Sequence, residues 1–442
     1  MSKMKVIRPR YAESFRCIGS DCEDTCCQGW SVPIDQVTYE KYRNLPASPL
    51  RDSIVASILC APEGALSSDG FGPELFGKIE MTPSNQCPLL SADHLCRIQQ
   101  EGGEALLAHS CATYPRIVSS INGIEEKALA LSCPEAARLV LLKPLLLPNV
   151  EEQSASAERI DPGQGAAPIQ SWYLNIRTTA LELIQNRDYP LWQRLFLLGV
   201  FCRRLDAIAA GELKQGIAEF LLDFEATVTA GTLRAGMETL PTDGEVQMDV
   251  VLRLAGLMLH ISNVRPRFAD CIHAFTTGIG NSPDATLRSL TTQYSMAHDR
   301  YFMPFITKHP YVLENYLINT IFRCHFPFGR DGMREGAPLS MMSEFTILTA
   351  QLTLVKGLMI GVAGFHREGL STEHVVHTVQ AASKHFDHHP DFLGRAHALL
   401  VESRLDGARG LGILLRKPGP PEATASSSAI SAQVQPIGAP VS

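Results

Sequence analysis

Nine of the twelve cysteines in this 442-residue chain fall within its first 133 residues, and eight of those nine form two clusters. Cys17, Cys22, Cys26 and Cys27 lie within eleven residues, with Gly19 and Gly29 allowing the backbone to fold back. If the segment from Cys22 is helical, Cys22 and Cys26 face the same side at i, i+4. Adjacent Cys26 and Cys27 then point apart, which implies that they serve different metal atoms or that only one is a ligand. The second cluster holds Cys87 and Cys96, then Cys111 in Cys111-Ala-Thr-Tyr-Pro-Arg116, then Cys133 in Leu131-Ser-Cys133-Pro-Glu135. Thiolates bind soft metals, and four per centre suits tetrahedral zinc or a four-iron, four-sulfur cluster. Eight ligands allow one centre with spares or two centres. Cys60, Cys202, Cys271 and Cys324 stand alone in sequence and read as small packing groups.

Histidine is the other uneven residue. Seven of the fourteen lie between His366 and His397, and His374 and His377 share one helical face with His385 two turns further on. The H-E-x-x-H pattern of a zinc site is missing, so the expectation is exposed or capping histidines near a helix end. Trp30, Tyr39 and Tyr42 read as a small core beneath the metal loop. The basic residues Lys3, Lys5, Arg8, Arg10 and Arg16 read as a solvated arm.

These groups need elements to hold them, and the pattern changes along the chain. Residues 1–150 read as a cysteine-rich, metal-binding domain of short segments rich in Gly and Pro. Residues 151–170 form a Ser/Ala/Gly/Pro-rich linker. From 171 to 416 the apolar spacing is helical, with helices expected over Leu191–Phe201, Ala207–Leu222, Met248–Leu259, Pro310–Phe322, Glu344–Phe365 and Thr372–His385. Alternating βαβ units are absent there. The expected fold is mainly α, with an all-α helical domain and a disordered tail over 417–442, where large apolar side chains are few.

Composition bounds the function. The chain is 45% hydrophobic with a formal net charge of −7, which allows a full core and disfavours a nucleic-acid partner. The N-terminal charges have no apolar run behind them, so the expected location is cytoplasmic, where thiols stay reduced and a cysteine cluster reads as metal-binding. Phe345–Phe365 is long enough to cross a bilayer, but Lys356 near its middle favours a buried helix. Peripheral membrane association and a homo-oligomer remain compatible with this composition.

The pattern C-x4-C-x3-C-C, then C-P-x7-C, then C-x2-Y-P-R resembles the zinc- or iron-chelating cysteine-rich domain. More specifically, the chain resembles the bacterial flagellin lysine-N-methylases. The likeness runs through Cys22-Glu-Asp-Thr-Cys26-Cys27-Gln-Gly-Trp30, Ile34-Asp35 and Thr38–Tyr42, Cys111–Arg116 and Leu131–Arg138. In the helical half it includes Asn186–Leu195 and Glu314–Phe322.

The resemblance implies methyl transfer from S-adenosylmethionine to lysine ε-nitrogens of flagellin, and an oxygen-sensitive iron–sulfur (4Fe-4S) cluster held by the cysteines. Direct displacement by lysine needs the neutral amine, whose free pKa of about 10.4 leaves it charged near neutrality. Such a site must desolvate the lysine or place a base beside it. Tyr114, Asp24 and Asp35 are the candidate bases, and Arg116 is a candidate partner for a carboxylate or a thiolate-ligated cluster. A glycine-rich turn between strand and helix is missing; Gly278-Ile-Gly280-Asn281 is the nearest candidate. The radical-enzyme spacing C-x3-C-x2-C is also missing. A second reading, of another class, is a non-catalytic metal-binding interaction module.

Overall fold

The computed structural model describes residues 4–6, 9–30, 32–60, 75–121, 124–147, 151–153, 169–213, 215–260, 265–329, 340–387 and 390–419. The chain divides into two compact units that interleave in sequence. One comprises Ser14–Ile117 and Cys133–Ala136; the other comprises Met1–Glu13, Val118–Ser132 and the chain from Ala137 onward. The division therefore departs from the continuous range 1–150, because segments on both sides of the cysteine unit fold with the helices. Most of the linker (154–168), His388 and His389, and the tail from residue 420 lie outside the described residues.

The cysteine unit is built on a three-stranded antiparallel sheet. Strands β2 (Pro33–Asp35), β3 (Ile58–Cys60) and β4 (Leu75–Ile79) lie in the order β2-β4-β3. Helices α1 (Gln36–Arg43) and α2 (Pro49–Ala56) connect β2 to β3. Each starts on a side-chain cap: Asp35 accepts from Thr38 N–H, and Ser48 accepts from Arg51 N–H. Two short helices follow, α3 (Arg97–Gly102) and α4 (His109–Thr113). The core is Val32, Ile34, Tyr42, Leu50, Ile54, Ile79, Leu89, Ile98 and Ala108, with Trp30 and Tyr39 packed against it. Trp30, Tyr39 and Tyr42 thus occupy the role expected of them.

The other unit includes a short strand pair, β1 (Met4–Val6) with β7 (Glu151–Gln153). A second two-stranded sheet, β5 (Arg116–Ile121) with β6 (Ile124–Leu129), leads to α5 (Pro134–Leu141). Helices follow: α6 (Tyr173–Gln185), α7 (Leu191–Ala209), α8 (Ile217–Ala230), α9 (Arg234–Glu238), α10 (Gly244–Leu259), α11 (Pro266–Gly278) and α12 (Leu287–Ala297). A π turn over His298–Phe302 joins α12 to α13 (Met303–Lys308). The set closes with α14 (Tyr311–Arg323), α15 (Met341–His366), α16 (Thr372–Phe386), α17 (Pro390–Glu402) and α18 (Ala408–Leu415). The single run expected over Ala207–Leu222 is two helices, because the chain turns between them with Gly211 at φ +74°.

Helix α15 is the axis of this unit and packs on α7, α10, α11, α12, α16, α17 and α18. It is apolar on all sides, as a helix buried on all sides must be. It is long and apolar enough to cross a membrane, but 94% of its apolar window is buried inside the protein. Asp206 accepts from Met341 and Met342 N–H at 2.8 and 2.9 Å, satisfying donors at its start. Lys356 donates to the carbonyls of Leu415 and Arg416 at 3.1 and 3.0 Å, the negative end of α18. Burial still pushes its amine down to about 8. The close packing of α11 on α15 depends on missing side chains: a Cβ at Gly361 would sit 2.4 Å from the Phe275 ring. At the C-terminal edge, Pro418 and Gly419 are buried rather than disordered, with Gly419 against Thr242 and Gly244.

Candidate metal centre

Five cysteines from four separate segments line one cavity of about 70 Å3 in the cysteine unit: Cys26, Cys27, Cys87, Cys96 and Cys111. Backbone pairing brings the two clusters together. Cys87 N–H donates to Cys27 C=O at 2.8 Å, Gly29 N–H donates to Asn85 C=O at 2.9 Å, and Gln28 bridges Gln86. Leu90 bridges Cys96, which closes a turn and leaves Cys96 at the start of α3. Cys111 comes from α4. Behind the thiols stand Val32, Ile34, Leu89 and Ile98, and Trp30 and Tyr114 stack at 6.0 Å beside them.

The expectation for the first cluster needs correction. Cys22–Cys27 is a loop and turn, not a helix, so Cys22 and Cys26 do not share a helical face. Cys26 and Cys27, expected to point apart, both line the cavity, because a turn rather than a helix or strand carries them. Cys17, Cys22 and Cys133 do not line it. Cys22 donates to Asp24 C=O at 3.4 Å, and Gly19 N–H donates to Cys17 Sγ at 3.4 Å. The charges of Cys22 and Cys26 act on Cys133, so it sits near this group.

The thiols burden one another. Burial, then the neighbouring Cys96, Cys26 and Cys87, push Cys111 up to about 12, and burial raises Cys87. Cys96 runs the other way: a hydrogen bond from the Cys27 thiol, aided by backbone N–H groups of Gln99 and Ile98, favours its thiolate, while Cys27 is raised. Hydrogen bonds to neighbouring thiols thus hold Cys27, and burial and mutual repulsion hold Cys87 and Cys111, toward the protonated thiol. A cation would reverse the balance, since a coordinated thiol is deprotonated outright. The donor set is therefore chemically suited to a soft metal. Among the described residues, however, no group of three or more Cys, His, Asp or Glu is gathered closely enough to hold a single ion.

The candidate bases fall in different places. Asp35 is a helix cap: Thr38 N–H and Oγ1 donate to it at 2.8 and 2.7 Å, and these bonds hold its carboxyl low. Arg116 donates to Phe15 C=O at 3.0 Å and lies 5.0 Å over the Phe15 ring, outside the cavity lining. Asp24 engages Cys22 through its carbonyl. Tyr114 alone of the four lines the cavity. Gly278 ends α11 against α15, so the Gly278–Asn281 segment follows a helix C-terminus and lacks the N–H groups that cradle phosphate.

The isolated cysteines behave as packing groups in part. Cys202 and Cys271 are buried, Cys324 is half-buried and Cys60 is exposed. The histidines depart further from expectation. His374 caps α16 with Ser371, but His385 is buried, stacked on Phe268 at 4.3 Å. His366, His374 and His377 line a second cavity with Asp270, His273 and Phe365. The last three lie some 100 residues or one helix away from His374, so only the histidine run was visible in sequence.

The FliB lysine N-methylase C-terminal domain matches residues 177–414. The chain is 26% identical over 261 residues to the lysine-N-methylases of Salmonella typhimurium and Salmonella choleraesuis, covering 58% of this chain and 61% of each relative. It is also 29% identical over 161 residues to the flagellar biosynthetic protein FliU of Salmonella muenchen, covering 36% of this chain and 90% of that one. The chain thus spans about three fifths of the methylase relatives it matches. No solved structure matches. With more than half its length matched, including the helices around α15, the chain belongs to the FliB lysine N-methylase family.

Proposed function

We propose that this chain is a protein-lysine N-methyltransferase acting on flagellin, dependent on S-adenosylmethionine and on a cysteine-ligated iron–sulfur centre. The family match over 177–414 carries the reading of lysine methylation, and the names of the Salmonella relatives support a flagellar substrate. The five-thiol cavity supports the metal. Cys26, Cys27, Cys87, Cys96 and Cys111 would hold it, with Cys17, Cys22 and Cys133 nearby.

Thiols ringed about a cavity favour a cluster over zinc, because an iron–sulfide core stands between its ligands. When bound, such a centre supplies electron-transfer or substrate-ligating chemistry. The protein's own contribution is to exclude water with Val32, Ile34, Leu89 and Ile98 and to hold Tyr114 at the rim. Trp30 fixes the loop by donating from Nε1 to Cys26 C=O at 2.5 Å.

The test is anaerobic reconstitution of the full chain with iron and sulfide, then incubation with S-adenosylmethionine and flagellin. Mass spectrometry of flagellin should show methyl increments on lysine. Replacing Cys26 or Cys111 by Ser should remove iron and activity together. A colourless, zinc-loaded, fully active protein would remove the iron–sulfur part, and iron-loaded protein without methyl transfer would remove the methylase.

A further inference from the structure

The cavity of the helical unit lies among α11, α15 and α16 and has a volume of about 250 Å3. That is below the ~300–1,000 Å3 typical of sites for drug-sized ligands, so it suits one side chain rather than a nucleoside. Asp270 stands exposed at its rim, on α11. Phe365, 41% exposed, and Val362 provide an apolar wall. Three half-buried imidazoles, His366, His374 and His377, and the exposed His273 complete it.

Two of those imidazoles, His366 and His377, favour the neutral form. The rings of His366 and His374 stack with centroids 3.5 Å apart and planes 10° from parallel, a pair that two positive charges would drive apart. Burial lowers His366 and His377 below the ordinary histidine value, with His374 adding to it at His366 and the Arg267 guanidinium adding to it at His377. His377 Nε2 meets Arg267 C=O at 3.0 Å and must donate there, which leaves Nδ1 with a lone pair. Arg267, the nearby cation, donates from Nε to Gln380 Oε1 at 2.9 Å. Stacked rings do not converge their lone pairs on one point, and no group here is gathered to hold an ion among the described residues.

We propose that this cleft receives a cationic primary amine, the lysine side chain presented by the protein substrate. Asp270 attracts the ammonium, neutral imidazole nitrogen accepts its N–H groups, and Val362 and Phe365 cover the methylene stem, the Phe365 ring also offering its face to the charge. The assignment of lysine rests on the methylase reading; the preference for an amine rests on the cleft.

The experiment uses the full chain labelled with 15N-histidine and titrated with Nα-acetyl-lysine methylamide, followed by NMR of the imidazoles. The norleucine analogue, zinc and inorganic phosphate serve as comparison probes. Saturable shifts of His366, His374 and His377 with the lysine probe are expected, weakened at least tenfold in Asp270→Asn and absent with norleucine. Silence of these signals, an equal response to norleucine, or a response to zinc or phosphate but not to lysine overturns the proposal. Methyl transfer is assayed separately on metal-loaded protein, where Asp270→Asn should raise KM for flagellin and leave KM for S-adenosylmethionine unchanged. Transfer without amine binding sinks the cleft and spares the methylase; amine binding without transfer does the reverse.

Discussion

Arg194 Nη1 lies 2.8 Å from Glu314 Oε2, joining the two stretches of the helical unit that carried the family likeness in sequence. Glu314 is 4% exposed and also takes Arg187 at 2.9 Å, while Arg194 donates further to Tyr189 and Ile184 carbonyls. Residues 186–195 and 314–322 are thus a structural clamp rather than reactive groups. Glu314→Gln leaves a buried guanidinium without its counter-charge and should cost about 3–5 kcal/mol in denaturant unfolding. Arg187 is half exposed, so Arg187→Gln should cost about 1 kcal/mol or less. Equal losses would show that the pair is not organised this way.

Asn319 is the second member of that clamp. Its amide pairs with both backbone groups of Leu129, at 3.2 and 2.9 Å, and accepts from Tyr11 Oη at 2.7 Å. Asn319→Ala strands several buried groups and should lower stability by about 3 kcal/mol, whereas Tyr11→Phe should lower it by about 1 kcal/mol. Urea titration monitored by circular dichroism distinguishes the two.

His298 gives the helical unit an acid limit. Burial first, then Lys356, hold its imidazole down to about 4 despite the Asp299 carboxylate 2.7 Å away. The unfolded chain binds this proton near pH 6.5 and the folded one only near 4, so stability is full above 6.5 and falls as pH drops through that window. The loss is about 3 kcal/mol by pH 4. His298→Phe should flatten the slope of stability against pH between 6.5 and 4; an unchanged slope would assign the acid limit to other groups.

The α11–α15 contact predicts a steric outcome. Any side chain at Gly361 meets Phe275, both its ring and its carbonyl, in a core that cannot shift freely. Gly361→Val should cost about 3 kcal/mol or prevent folding, and Gly369→Ala, in open space, should be nearly neutral in the same melting assay.

Cysteine substitutions should sort by cavity. Cys96→Ser and Cys111→Ser should reduce bound iron after anaerobic reconstitution to background, and Cys60→Ser, exposed at the end of β3, should leave it unchanged. Iron retained in both cavity variants would move the centre elsewhere.

Much of this was legible beforehand for physical reasons. Apolar spacing placed α10, α14, α15 and α16 because each is buried along most of its length, and Lys356 marked α15 as a core helix. Eight cysteines were visible as a group, but spacing could not show that Cys87 and Cys96 meet Cys26 and Cys27. That meeting depends on a bridge from Gln28 to Gln86, between loops with no periodicity to read. The amine cleft was hidden because Asp270 stands on α11 and His377 on α16, and the spacing within each helix does not show that the two pack together.

Tyr11 and Asn319 are 308 residues apart in the chain, which sets a schedule for synthesis. The cysteine unit is complete at Ala136, 183 residues before Asn319 exists. At ~5–20 residues per second that interval is roughly 10–35 s. During it the thiols are already assembled while the first segment, Met1–Glu13, still waits for the helices it belongs with. On the proposed function, the metal would therefore be taken up before the helical unit closes.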